Sequence, residues 1–335
     1  MGVKISALVD KRNLKWEELE GKTLAVDASN IIFQFLSSIR QADGTPLMDN
    51  EGNVTSHLVG LFSRVPNMMQ KGITPVFVFD GEAPALKSKV HAIRRAAKEK
   101  ARERYTEAVL DEDVETAGMY AKQFSSVNST MFEESKELLE AMGLPIVQAP
   151  SEAEAQCAYM AQKKVVWGSV SQDYDSLLFG APRLVLNLTL SQKRKISGGK
   201  TVYISPYLVE LKDVLTKLEL NQDQLIVLGI LVGTDYDPKG VSGIGPKKAL
   251  KLLHSGKKFE DIFSSLEVDF DWKEIFETFK NIPVDDVKLP SLKMNEERIK
   301  EILVERHNFS LERVEQTLAK IRGRKKPEAG LKKWF

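Results

Sequence analysis

The chain has 335 residues, 42% apolar and 28% charged, enough for one large α/β domain or two modest ones and suited to a soluble protein. Lys and Arg number 48 against 47 Asp and Glu, so the net charge of +1 says nothing about a polyanionic partner; that case rests on where the charges lie. A single cysteine, Cys157, excludes an intrachain disulfide, no apolar run reaches the ~20 residues of a membrane span, and residues 1–10 hold no signal-peptide core, so an intracellular protein without membrane contact is expected.

Residues 23–28 predict a buried strand, followed by a helix over 30–40 with Ile31, Ile32, Phe35, Leu36 and Ile39 at helical spacing. Turn-like clusters make 43–53 a loop, 57–71 a second helix closed by Gly72, and 74–79 a second strand rich in β-branched and aromatic residues. From 84 to about 128 the strand pattern vanishes. A basic run over 87–104 and an acidic stretch after it predict polar helices standing away from the core. A helix over 131–142, a strand over 145–147, a helix from Ser151 to about Gln162, and strands over 165–170 and 183–187 complete an alternation that implies a mostly parallel sheet. After about Tyr203 the strand signal stops. Helices follow: 225–232 leading into Gly233, 246–254 after a glycine-rich turn, and others to about 321. A polar, basic tail over 322–330 predicts flexibility.

Seven carboxylates sit at the ends of apolar runs or in tight acidic pairs: Asp27, Asp80, Glu152, Glu154, Asp173, Asp175 and Asp235. A carboxylate that follows a buried strand lies at the sheet edge where α/β proteins bind ligands. Several converging there repel one another unless cations hold them, and hard divalent ions take such oxygen ligands. Each has a plain alternative. Asp27 suits a helix cap, Asp80-Gly81 a turn, and Ser151-x-x-Glu154 a capping box with Glu152 at the positive helix end. Against the last, Ala149, Ala153 and Ala155 are small enough to leave room for ions. Asp173 and Asp175 lack the Gly and distal Glu of a calcium loop, Ser29 stands where an aspartyl-phosphate enzyme needs Asp, and no phosphate-binding P-loop is present. The turn Gly240–Lys248, with Gly243 and Gly245 before Pro246, Lys247 and Lys248, fits a helix–hairpin–helix whose backbone N–H groups grip phosphate; an ordinary connector is the alternative. Leu331, Trp334 and Phe335 share one helical face at the end of the tail.

Together the strings V-D-A-S-N (26–30), V-F-V-F-D-G (76–81), A-P-S-E-A-E-A (149–155), S-Q-D-Y-D-S-L-L-F-G (171–180) and G-T-D-Y with G-I-G-P-K-K-A (233–249) resemble the flap endonuclease family of structure-specific 5′ nucleases over essentially the whole chain. The resemblance implies a mixed, mostly parallel central sheet flanked by helices, a helical arch over about 84–130, and a C-terminal helical region with the hairpin turn over about 225–256. It implies a single nuclease domain over 1–322 and a tail over 323–335. The seven carboxylates would bind two Mg²⁺ or Mn²⁺ ions: Asp27, Asp80, Glu152 and Glu154 mainly one, Asp173, Asp175 and Asp235 the other. Lys87 and Arg94 would contact the scissile phosphate, and Arg40 and Arg64 the bent duplex and its 3′ end. The hairpin turn would hold downstream duplex with a potassium ion, though the loop after Asp235 is longer than the family pattern. Phe33 replaces a Tyr that stacks on a base. Leu331, Trp334 and Phe335 would enter a replication sliding clamp, with Glu328 where relatives carry Gln. The expected activity is removal of 5′ flaps in replication and repair with associated 5′–3′ exonuclease action, by a chain monomeric on its own. The short gap between Asp80 and Glu152 disfavours the long-insertion repair type and the clamp-like tail the bacterial type, which leaves an archaeal or eukaryotic replication type, and a tail ending at Phe335 without a basic extension looks more archaeal. A non-catalytic DNA-binding relative is disfavoured because all seven acidic positions are filled.

Overall fold

The computed structural model describes residues 2–41, 43–110, 113, 116, 127–188, 193–195, 201–203, 205–266 and 268–323. The predicted strands are present: β3 (Thr74–Phe79) at its predicted bounds, β4 (Ile146–Gln148) one residue later, and β2 (Thr23–Asp27), β5 (Gly168–Val170) and β6 (Arg183–Leu186) shortened at their ends. All four pairings among them are parallel, as the intervening helices require. Two elements extend the sheet beyond that alternation. β9 (Tyr207–Glu210) lies antiparallel on β6, and β1 (Arg12–Asn13) antiparallel on β9, giving the order β1-β9-β6-β5-β2-β3-β4. The expectation that strands end near Tyr203 is therefore corrected. β9 is four residues long and runs directly into the helix Leu211–Leu218, so no turn signal separates the two patterns. A separate hairpin pairs β7 (Lys193–Lys195) with β8 (Thr201–Tyr203).

The register decides where the acids fall. Val26 pairs with Val170 and Asp27 with Val78, while Phe79 pairs with Gln148. The carboxyl ends of β2, β3, β4 and β5 thus share one edge, and the chain leaves each strand there into the segments that hold Asp27, Asp80, Glu152 and Asp173. One face of the sheet is covered by α1 (Ala28–Ser38), α2 (Ser56–Gln70), α4 (Ser129–Ala141), α12 (Glu296–Lys300), the π-helical Glu301–Arg306 and α13 (Leu311–Arg322). A second cluster packs α6 (Asp175–Leu178) and α8 (Gln222–Val232) with α9 (Pro246–Leu253), α10 (Phe259–Ser264) and α11 (Trp272–Asn281). The third lies beneath α5 (Ala153–Gln162). α3 (Lys87–Leu110) is a 24-residue polar helix, as the composition of the arch segment predicts. Among the described residues no helix is long and apolar enough to cross a membrane.

Candidate active site

Two of the acids do structural and site work at once. Asp27 ends β2 and caps α1, accepting the Asn30 backbone N–H at 3.0 Å. Asp80, the exposed member, accepts the Ala153 backbone N–H at 2.8 Å and so caps α5 from the neighbouring strand. Each cap uses one carboxylate oxygen. The capping-box reading of Ser151 and Glu154 is not what forms. Glu152 occupies the cap position without a cap bond, the Ser151 hydroxyl donates to the Glu82 carbonyl at 2.9 Å, and Glu154 accepts from Ser171 Oγ at 3.0 Å. The small flanking residues Ala149, Ala153 and Ala155 are buried, the first two within the core cluster at α5.

Asp27, Glu152 and Asp175 are buried, and Glu154, Asp173 and Asp235 are half-buried. Burial, then Asp80, pushes the Asp27 carboxyl up to about 8. Burial, then Asp235, pushes Asp175 up to about 7, although Val3 N–H donates to its Oδ1 at 2.6 Å. Glu154 is raised well above the carboxylate range by burial and then by Asp175, Asp27, Asp173 and Asp235. Among the described residues no three acidic, His or Cys side chains already close on one point. The donors are carboxylate oxygens, a set that fits a hard divalent ion and not a thiophilic one.

Lys87 opens α3 and enters this acidic edge. Its Nζ lies 2.7 Å from Glu152 Oε1 and 3.8 Å from Asp235 Oδ2, and 5.6 Å from the centre of the buried Tyr236 ring. Burial alone would lower the ammonium; Glu152 and then Asp235 instead hold it above its ordinary value. Glu152 remains raised because burial outweighs Lys87. Arg94 lies two turns further along α3, and its side chain falls outside those described.

The other expected contacts are spread around this edge. Phe33 is 45% exposed on α1, one turn beyond Asn30, whose amide donates to Asp173 Oδ2 at 2.9 Å. Arg40 closes its own loop by donating to the Gly44 carbonyl at 2.7 Å, and Arg64 is half-buried on α2. At the glycine turn Gly243 takes φ +74°, a conformation side chains rarely adopt, and Gly245 caps α9 with Pro246 in its first turn. Lys247 and Lys248 are exposed, and Lys248 Nζ donates to the Gly243 carbonyl at 2.9 Å. The turn lines a groove of about 450 Å³ with Lys4 and Lys239. Leu331, Trp334, Phe335 and Glu328 lie outside the described residues.

Sequence reasoning missed the amino-terminal strand of contacts. A Cβ on Gly2 would meet Asp173 Cβ at 2.6 Å and Asp175 Oδ2 at 2.9 Å, so only glycine lets the backbone pass under these acids. Gly2-Val3-Lys4 carries no motif; a glycine at that point was the one available signal.

Residues 1–101 match the XPG N-terminal domain and 143–235 the XPG I-region. The chain is 49% identical to flap endonuclease 1 of Pyrococcus furiosus over 340 residues, covering 100% of this chain and 99% of that protein. Among solved structures it resembles flap endonuclease-1 from Methanococcus jannaschii at TM-score 0.76 and 41% identity, over 96% of this chain and 98% of that one. The catalytic core of Rad2 in complex with DNA substrate matches at TM-score 0.66 and 25% identity, over 93% and 96%.

Proposed function

This chain belongs to the flap endonuclease family, and from that premise we propose that its acidic edge holds two divalent ions, Mg²⁺ with Mn²⁺ as a substitute, beside the phosphodiester at the base of a 5′ flap. Its activity is metal-dependent 5′-flap endonuclease and 5′–3′ exonuclease cleavage of DNA. The observation that carries the ion proposal is the placing of Asp27, Asp80, Glu152 and Asp173 at one sheet edge by the strand register, with Asp27, Glu152 and Asp175 buried. When bound, the two ions supply an activated water and stabilise the leaving oxygen of an in-line displacement.

The chain's own residues have distinct parts in this proposal. Asp27, Asp80, Glu152 and Glu154 hold mainly one ion, and Asp173, Asp175 and Asp235 the other. Lys87 and Arg94 offset charge that grows on the phosphate. Phe33, exposed beside this edge, stacks on an unpaired base, which needs a ring face and no phenol. The glycine turn grips duplex backbone through its N–H groups, Lys247 and Lys248, with a potassium ion at the turn. Arg40 and Arg64 steady the bent duplex. The Rad2 core is bound to a DNA substrate, which supports DNA as the substrate here. Leu331, Trp334 and Phe335 form the tether to a sliding clamp, the protein is monomeric by itself, and it works inside the cell.

The test is incubation with labelled flap, nicked and single-stranded DNA, with Mg²⁺ and with a chelator. Flap DNA is expected to be cut with Mg²⁺ and left intact with the chelator. Undiminished cutting in the chelator contradicts the ion site.

A further inference from the structure

Lys87 is a cation that the chain itself delivers to the acidic edge. Its ammonium touches Glu152 at 2.7 Å and faces Asp235 at 3.8 Å, with the side chain 17% exposed. The Tyr236 ring, buried next to Asp235, packs beneath it at 5.6 Å. Glu152 begins α5, Asp235 follows α8, and Lys87 is the first residue of α3. One ammonium therefore ties the base of the polar helix to both of the elements from which these acids project. An ammonium and a divalent ion compete for the same carboxylate oxygens, and the divalent ion brings twice the charge.

We propose that Lys87 is an internal counter-ion that closes the Glu152–Asp235 side of the site, that a divalent ion displaces it, and that this displacement unties the base of α3. The proposal rests on the ion-site reading above. Two consequences follow from thermodynamics alone. A site closed by Lys87 for nine-tenths of the time binds its ion about tenfold more weakly than an open one. Any anion that draws the ammonium away, such as a phosphate at this edge, tightens ion binding by the factor by which the ion tightens that anion. Metal loading and substrate docking are then coupled through one side chain.

The experiment titrates Mn²⁺ into the full chain without DNA and follows the free ion by electron paramagnetic resonance, for the wild type and Lys87→Met. The Met side chain keeps the volume beside Tyr236 and removes the charge. Lys87→Met is expected to bind its first ion roughly tenfold tighter. Equal or weaker binding overturns the proposal. Removing one partner of a buried pair can unfold a variant, so a second measurement uses the wild type alone. Hydrogen exchange of amides 88–92 is followed with and without Ca²⁺ and is expected to speed up with the ion; unchanged or slower exchange overturns the proposal. Failure of the wild type to bind Mn²⁺ defeats the ion-site reading itself. Binding by the wild type without tighter binding by the variant defeats only the role given to Lys87.

Discussion

On the outer face of α4, Glu137 and Glu301 meet Arg298 and Arg306 in a closed ring of two acids and two bases, with contacts of 3.4, 2.9, 2.6 and 2.8 Å. Arg306, then Arg298, holds the Glu301 carboxyl below its ordinary value. At the sheet edge Lys87 meets Glu152 at 2.7 Å and Asp235 at 3.8 Å, and the carboxyls of Asp27, Glu154 and Asp175 are pushed up instead. Both regions set acids against bases. In the first region acids and bases match two to two, and in the second Lys87 is the cation that the described side chains place against the acids. A surface ring of this kind contributes little and has no need of a ligand. A buried deficit costs stability and persists where function requires a cation from outside.

The largest contrast is expected in catalysis. Asp173→Asn is expected to abolish cleavage of a 5′-flap substrate in single-turnover assays with Mg²⁺ while the fold and flap binding survive, whereas Arg298→Ala leaves cleavage unchanged. Asp80→Asn is more informative than Asp80→Ala, because the amide oxygen still caps the Ala153 N–H and isolates the loss of charge. Full activity in either Asn variant sinks the contrast.

Next in size are the arch cations. At saturating Mg²⁺, neutralising Lys87 or Arg94 is expected to lower the single-turnover rate by roughly 10²–10³, as for other electrostatic stabilisers, with far less change in affinity. Affinity falling in step with rate marks a mere binding patch.

The two regions also pull stability in opposite pH directions. Asp27 and Asp175 rise to about 8 and about 7 from 3.8, so the stability they contribute is complete below 3.8 and lost as pH climbs through 7 and 8. Glu301 is lowered from 4.5, so its contribution is present above 4.5 and lost as pH falls through the lowered value. The metal-free chain is therefore expected to melt at progressively lower temperature between these carboxylate values and pH 8, and Mg²⁺ to flatten that decline. A metal-free melting temperature that rises toward pH 8 contradicts the deficit. The smallest effect is Arg298→Ala itself, which is expected to cost about 0–1 kcal/mol in thermal or denaturant unfolding, the usual worth of an exposed pair.

The sequence made the edge legible through strands that end in acids. Apolar runs 23–26 and 74–79 locate β2 and β3, and Asp27 and Asp80 follow from them without further help. The acids on short turns needed the family resemblance, because Glu152 and Glu154 fit a capping box locally and tertiary partners decided otherwise. Ser151 found the Glu82 carbonyl and Glu154 found Ser171. Contacts from distant segments left no local trace. Val3 reaches Asp175 across 172 positions, and Lys87 reaches Glu152 only because α3 starts over the mouth of the edge. β9 was lost because four residues hold too little alternation to stand out beside a helix.

The deficit of counter-charge is tested most directly by the protons that an ion expels. Carboxyls raised to about 7 and about 8 hold protons near neutral pH that a divalent ion must displace. Calorimetric titration of Mg²⁺ into the metal-free chain at about pH 6.5, in two buffers of different ionisation heat, is expected to show release of roughly one to two protons per ion-loaded protein, fading by about pH 9. Binding with no proton release at either pH contradicts a buried acidic edge short of cations.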